Sequence, residues 1–161
     1  MTIETTNLTI TPTTEELLGE PADLFNPEKL IVYLGGPIEF ATREEQDNWR
    51  EHAREVLTEA GHFVIDPTGK EGCNSWHIVE KDLRDLQRAD VLLAWVPVEI
   101  PLMGTAMEIF YFRRILRKPV VAWGRHRNTP WLDVHVLPPV YGTLEHALQK
   151  VIEDAETLKK L

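Results

Sequence analysis

The sequence predicts an α/β protein, a parallel sheet of about five strands covered by helices on both faces. Three observations predict it. Short apolar runs recur between stretches whose apolar residues are spaced by three and four. Each of those runs stops at a glycine or a proline. The two kinds of segment alternate, as parallel strands joined by crossover helices must.

Taken in order, residues 1–29 stand apart. They are rich in Thr and Glu, are broken by Pro12, Pro21 and Pro27, and read as an arm lying over the body or over a neighbouring subunit. Leu30–Leu34 is the first buried strand. It runs into Gly35-Gly36-Pro37, where two residues without side chains let the backbone pass close to a ligand. Thr42–Ala60 is a helix: Thr42 and Glu45 form a capping box, and Trp49, Ala53, Val56, Leu57 and Ala60 recur on one face. Gly61 ends it. His62–Asp66 is the second strand, closed by Pro67, and Trp76 begins a helix with Asp82, Leu83, Leu86 and Ala89 on one side. Asp90 ends that helix and opens Val91–Val96, a continuous apolar run of the kind a strand buried on both faces shows. A proline-containing loop leads to Gly104-Thr105 and a helix carrying Glu108. Val120–Trp123 is the fourth strand, residues 124–131 are a polar, basic loop, and Asp133–Val136 is a short fifth strand. Thr143–Leu161 is a closing helix, with Lys159 and Lys160 suited to its carboxyl end. Right-handed crossovers make this a three-layer Rossmann-like or flavodoxin-like sandwich, one domain over residues 30–161.

Composition limits function. With 26 acidic against 17 basic residues and a net charge of −9, the chain is ill suited to grip a phosphate backbone. A small neutral or cationic ligand is expected, not a nucleic acid polymer. One cysteine, Cys73, excludes an internal disulfide and a cysteine-based metal cluster. No signal-peptide pattern is present, and no apolar run approaches the ~20 residues that span a bilayer. A soluble, cytoplasmic protein without membrane contact is expected. His62 and His77 have no partner at metal-ligand spacing, so no metal is expected, and chemistry carried by positioned carboxylates needs no cofactor.

Three carboxylates frame the third strand: Asp82 before it, Asp90 at its start and Glu108 after the loop that leaves it. Ligands of open α/β sheets bind at the carboxyl ends of strands, where Glu108 is placed. Near the start of its helix, the dipole and free amides are expected to keep Glu108 ionised at neutral pH. An ionised carboxylate can attack a sugar C1′ or shield a developing oxocarbenium ion; an ordinary helix-start glutamate is the plainer alternative. Asp82 can serve as a general acid or be a solvated helix carboxylate, with Asp85 as its competitor. Asp90 can be a turn residue or bind substrate. Tyr33, beside the glycines, can orient a carboxylate through its hydroxyl or be a core tyrosine. Trp76 and Trp95 can stack on a flat heterocycle or pack in the core.

The order Tyr33-Leu-Gly-Gly-Pro, Asp82, Asp90, then Gly104-Thr105-x-x-Glu108 resembles the nucleoside 2-deoxyribosyltransferases, over about residues 31–123. That resemblance implies Glu108 as nucleophile, Asp82 as the base-binding acid and Tyr33 in contact with Glu108. It implies Gly35, Gly36, Pro37, Phe40, Asp90, Gly104 and Thr105 around the substrate. The implied reaction is transfer of 2-deoxyribose between nucleobases through a covalent glutamyl intermediate, with 2′-deoxynucleosides and free bases as partners. It also implies a homo-oligomer with shared sites. Related nucleotide N-glycoside hydrolases are the alternative, and a non-catalytic nucleotide-binding protein a second. One position departs: Leu102 stands where the transferase pattern has an aspartate and the hydrolases tend to have a serine. Phosphate binding would call on Thr105 with Arg125 or Arg127.

Overall fold

The computed structural model describes residues 29–125 and 129–161. The expected N-terminal arm lies outside them, apart from Lys29. β1 (Ile31–Gly35), β2 (Phe63–Ile65), β3 (Val91–Trp95) and β4 (Val120–Trp123) form one sheet in the order β2-β1-β3-β4. All neighbours are parallel. The chain leaves β1 towards one edge and returns past it to build β3, so β1 and β3 flank the point where the winding changes direction. Their carboxyl ends open a crevice there.

Strand alternation sorts the core into two layers. Val32 and Leu34 of β1, Val91 and Leu93 of β3, and Val121 of β4 point one way. They pack on α1 (Arg43–Glu59), α5 (Leu144–Glu153) and α6 (Ala155–Lys160). Tyr33, Leu92, Ala94, Val120 and Ala122 point the other way. They meet Leu86 of α2 (Ser75–Arg88), Ile109 of α3 (Met103–Phe110) and Phe112 of the π-helical turn Tyr111–Ile115 that continues α3. Tyr33 therefore faces the layer that carries Glu108.

The caps behave as the sequence predicts. Thr42 and Glu45 form both halves of the capping box, and Gly61 takes φ +86° after α1. Trp49, Ala53 and Leu57 are buried, while Val56 packs only partly against that core. Asn74 starts α2 by accepting from the His77 amide.

Two expectations fail. Asp133–Val136 is not a strand: Pro130–Asp133 is a short helix, α4, with Pro at its first turn and Thr129 capping the Leu132 amide. The edge of β4 is instead met by residues 137–141. There Leu137 and Tyr141 donate to Val120 and Ala122, leaving a single bridge at Trp123–Tyr141. Pro138 and Pro139 lie between and have no N–H to continue a ladder. The sheet thus has four strands among the described residues. The closing helix is also two, α5 and α6, parted at Asp154 (φ −102°, ψ 15°).

Candidate active site

Glu108 and Tyr33 meet in the crevice. Helix α3 follows the loop after β3 and leans its inner side on the sheet, with Ile109 buried. The Tyr33 hydroxyl donates to Glu108 Oε1 at 2.8 Å. Tyr33 is fully buried, and its ionisation is suppressed, first by burial and then by the Glu108 charge. It remains a neutral donor. Gly35 ends β1 just behind: a Cβ there would lie 2.8 Å from Leu92 Cδ1 and 3.4 Å from Glu108 Oε2.

The expectation that the helix dipole holds Glu108 ionised is corrected. The pKa of Glu108 is pushed up to about 7, chiefly by burial. The Tyr33 hydrogen bond opposes this, the Asp82 charge adds to it, and Arg50 and Lys70 oppose it. The reason is position. Glu108 lies five residues past Met103, the first residue of α3, beyond the unpaired amides of the opening turn. Desolvation meets no compensating donor except Tyr33.

Asp82 reaches the same pocket from α2, on the face shared by Val79, Leu83 and Leu86. Its carboxylate is ion-paired with Lys70, and both side chains are largely buried. Lys70 sits in the loop between Gly69 and Gly72, both at positive φ. Asp85, the competitor, pairs with Lys81 instead.

Asp82 and Glu108 line a pocket of about 1000 Å³, with Tyr33 behind Glu108. Phe40 closes one side, Pro101, Leu102, Met103, Gly104 and Met107 another, and Phe110, Trp131, Leu132 and His135 a third. Its wall is apolar, with Asp82, Glu108 and His135 as its ionisable groups other than Tyr111. His135 is held on both sides: Nε2 accepts from Arg114 Nε at 3.0 Å, and Nδ1 faces the Trp131 carbonyl. Its ring stacks on Trp131 at 5.9 Å and 10°.

Among the expected site residues, Tyr33, Asp82, Glu108, Phe40 and Gly104 are brought together, with Gly35 behind Glu108. Gly36, Pro37, Thr105 and Asp90 are not on the pocket wall. Gly36 serves the fold: a Cβ there would lie 2.8 Å from Trp49 Cζ2, and its carbonyl accepts from the fully buried Arg50 at 2.9 Å. Thr105 is buried on α3. Asp90 lies at the amino end of β3, the far end from the crevice, where Oδ2 accepts from the Ile31 amide at 2.8 Å. Trp95 stacks on Trp123 at 5.6 Å and 16°, beside Trp49, in the opposite layer. Trp76 is 76% exposed and outside the pocket wall. Arg125 is exposed and Arg127 lies outside the described residues. Sequence reasoning missed Lys70, Arg50, Trp131 and His135. For Lys70, the glycines on either side were a signal of a tightly turned loop.

A family model described as "Nucleoside 2-deoxyribosyltransferase like" matches residues 29–126. The chain belongs to the nucleoside 2-deoxyribosyltransferase-like family. The resemblance read from Tyr33, Asp82 and Glu108 is thereby borne out, and the family is one of enzymes of the deoxyribosyltransferase kind. Three solved structures share the fold. A 2-deoxyribosyltransferase of the bacterium Bacillus psychrosaccharolyticus is 24% identical, with TM-score 0.50, covering 71% of this chain and 99% of that one. A Leishmania mexicana 2-deoxyribosyltransferase is 17% identical, with TM-score 0.63 and coverage of 76% and 97%. A CMP N-glycosidase of Clostridium botulinum is 18% identical, with TM-score 0.52 and coverage of 75% and 97%. A search of curated proteins finds no match. Among the described residues of this family member, no helix is long and apolar enough to cross a membrane. Among them, too, no group of three or more His, Cys, Asp or Glu is placed to hold a metal ion.

Proposed function

We propose that this protein transfers 2-deoxyribose between nucleobases, using Glu108 as nucleophile. The observation that carries the reading is the 2.8 Å hydrogen bond from buried Tyr33 to Glu108, a carboxylate that lines a pocket of about 1000 Å³, ample for a nucleoside. Tyr33 fixes one carboxylate oxygen, and the other is left to attack C1′. The C1′–N bond breaks with its electron pair going to the base. The proton that neutralises the departing base comes from the Lys70 ammonium, relayed by the Asp82 carboxylate that accepts from it. An incoming base then attacks C1′ through a ring nitrogen, releases the Glu108 carboxylate and returns its N–H proton to the Asp82–Lys70 pair. Apolar walls around the reacting atoms strengthen these charges by excluding water.

A nucleoside suits the pocket better than a nucleotide. Neither lysine nor arginine is among its described lining residues, and a 5′-phosphate would need such donors. Leu102 lines the wall and makes that flank apolar, which suits the flat face of a base. The sites are proposed to work in a homo-oligomer, since the pocket opens among exposed Met103, Met107 and Trp131. The protein is proposed to act in the cytoplasm, in nucleoside salvage.

The test is incubation with a panel of 2′-deoxynucleosides, with and without a second free base, followed by chromatography. New nucleosides should form only with acceptor base, and Glu108→Ala should abolish them. Release of free deoxyribose at the same rate without acceptor would assign hydrolysis instead. Tight binding with no turnover, unchanged in Glu108→Ala, would assign a sensor.

A further inference from the structure

A second hollow lies beyond the carboxyl end of α3. Arg113, Arg114 and Arg117 line it with Val134, enclosing about 350 Å³. Some long cations of this acidic chain find carboxylates, as Arg43 does with Asp47 and Glu71, and Arg54 with Asp66. Among the described residues no ion pair involves Arg113, Arg114 or Arg117, and Arg114 uses only Nε, on His135. Three guanidinium groups around one hollow repel one another unless an anion joins them. A cation near a helix end offsets the dipole, but that does not require three facing one space. Arg117 also sits at φ +58°, the left-handed position after a helix where glycine is the favoured residue.

We propose that this hollow binds a small phosphorylated anion, a diphosphate or a compact phosphate ester, separate from the sugar pocket. Guanidinium groups match phosphate oxygens with paired N–H donors, and three positive charges suit a polyvalent anion better than a carboxylate. The volume admits only a small ligand, and the acidic remainder of the surface disfavours a nucleic acid chain. The site is coupled to the first pocket by one bond. Arg114 holds His135, and His135 lines the Glu108 pocket. The proposal does not depend on which reaction Glu108 performs.

Calorimetry with pyrophosphate on the full chain tests it. Saturable binding is expected. Arg113→Gln and Arg117→Gln should each weaken it roughly tenfold, the loss of one charge-assisted hydrogen bond, with thermal midpoints near wild type because both side chains reach solvent. Arg113→Lys should keep part of the affinity, and Glu108→Gln all of it. The proposal is overturned by three results: no saturable binding to wild type, equal binding by the Arg113→Gln/Arg117→Gln variant, or tighter capture of a short oligonucleotide by the same arginines.

Discussion

Glu108 carries two opposed demands. It must be ionised to attack, yet burial lifts its pKa from 4.5 to about 7. If ionised Glu108 is the nucleophile, kcat/KM rises with pH through about 7 and levels above it. Tyr33→Phe removes the hydrogen bond that lowers this pKa. The inflection should then move up by about one unit, the worth of one charged hydrogen bond, as a pH–rate profile would read. Stability follows the same sign. Between pH 4.5 and 7 the folded state holds a proton that the unfolded state has lost, so stability falls as pH rises through this window. Glu108→Gln should therefore be more stable than wild type at pH 8, by about 1–3 kcal/mol after allowance for solvent in the pocket. The two should converge below about pH 4.5. Urea denaturation at pH 8 and pH 4.5 checks this, and equal stability at pH 8 would mean the carboxylate is not desolvated. At this scale the sequence was partly legible. The pairing of Tyr33 with Glu108 came from the family resemblance; the residues alone left Tyr33 open between orienting a carboxylate and packing in the core. The sign of the pKa shift was not legible, because it turns on where α3 begins, and Leu102 offers no capping side chain to mark that start.

Elements position these residues, and their own fit can be tested. Gly35 and Gly36 look alike in the sequence but meet different neighbours. An added Cβ at Gly35 presses on the end of Leu92, which can turn aside; at Gly36 it presses on the Trp49 ring, with Trp95 Cβ at 3.4 Å. Gly36→Ala should cost about 1–3 kcal/mol of stability, more than Gly35→Ala. Gly35→Ala should instead disturb activity, since its new methyl lies beside Glu108; denaturation and turnover together separate the two. Helix α2 is tied at Asp82 to the loop carrying Lys70. If the pair works as a unit, Lys70→Met and Asp82→Asn should each lower kcat, and the double variant should be no worse than Asp82→Asn alone. Additive losses would separate their roles. Periodicity revealed α1 and α2, because one buried face repeats along each, and short apolar runs closed by glycine or proline revealed the four strands. Neither revealed α4, where Pro130 and the Thr129 cap decide within a single turn, or the bridge at Tyr141, which an apolar run does not announce.

At the scale of the molecule, the sheet order β2-β1-β3-β4 places the crevice between β1 and β3, and the alternation of strands and helices already implied such a crevice. What alternation cannot show is how the crevice is closed. Its outer wall comes from Trp131 and His135, well after the last strand, and from apolar side chains left largely in solvent: Phe40 at 60%, Met103 at 70%, Met107 at 69% and Trp131 at 72% exposed. Large apolar groups gathered at a pocket mouth are costly to leave in water and mark surfaces that another body covers. A second copy of the chain is the occupant consistent with the proposed shared sites. If the wild type is the proposed oligomer, placing two charges on α3, in Met103→Glu/Met107→Glu, should convert it to monomer in light scattering. Turnover should fall with the loss of the partner and recover in part at high protein concentration, because association is driven by mass action. A wild-type monomer that is fully active at nanomolar concentration would instead require each chain to close its own pocket, and the exposed rim would then belong to the substrate.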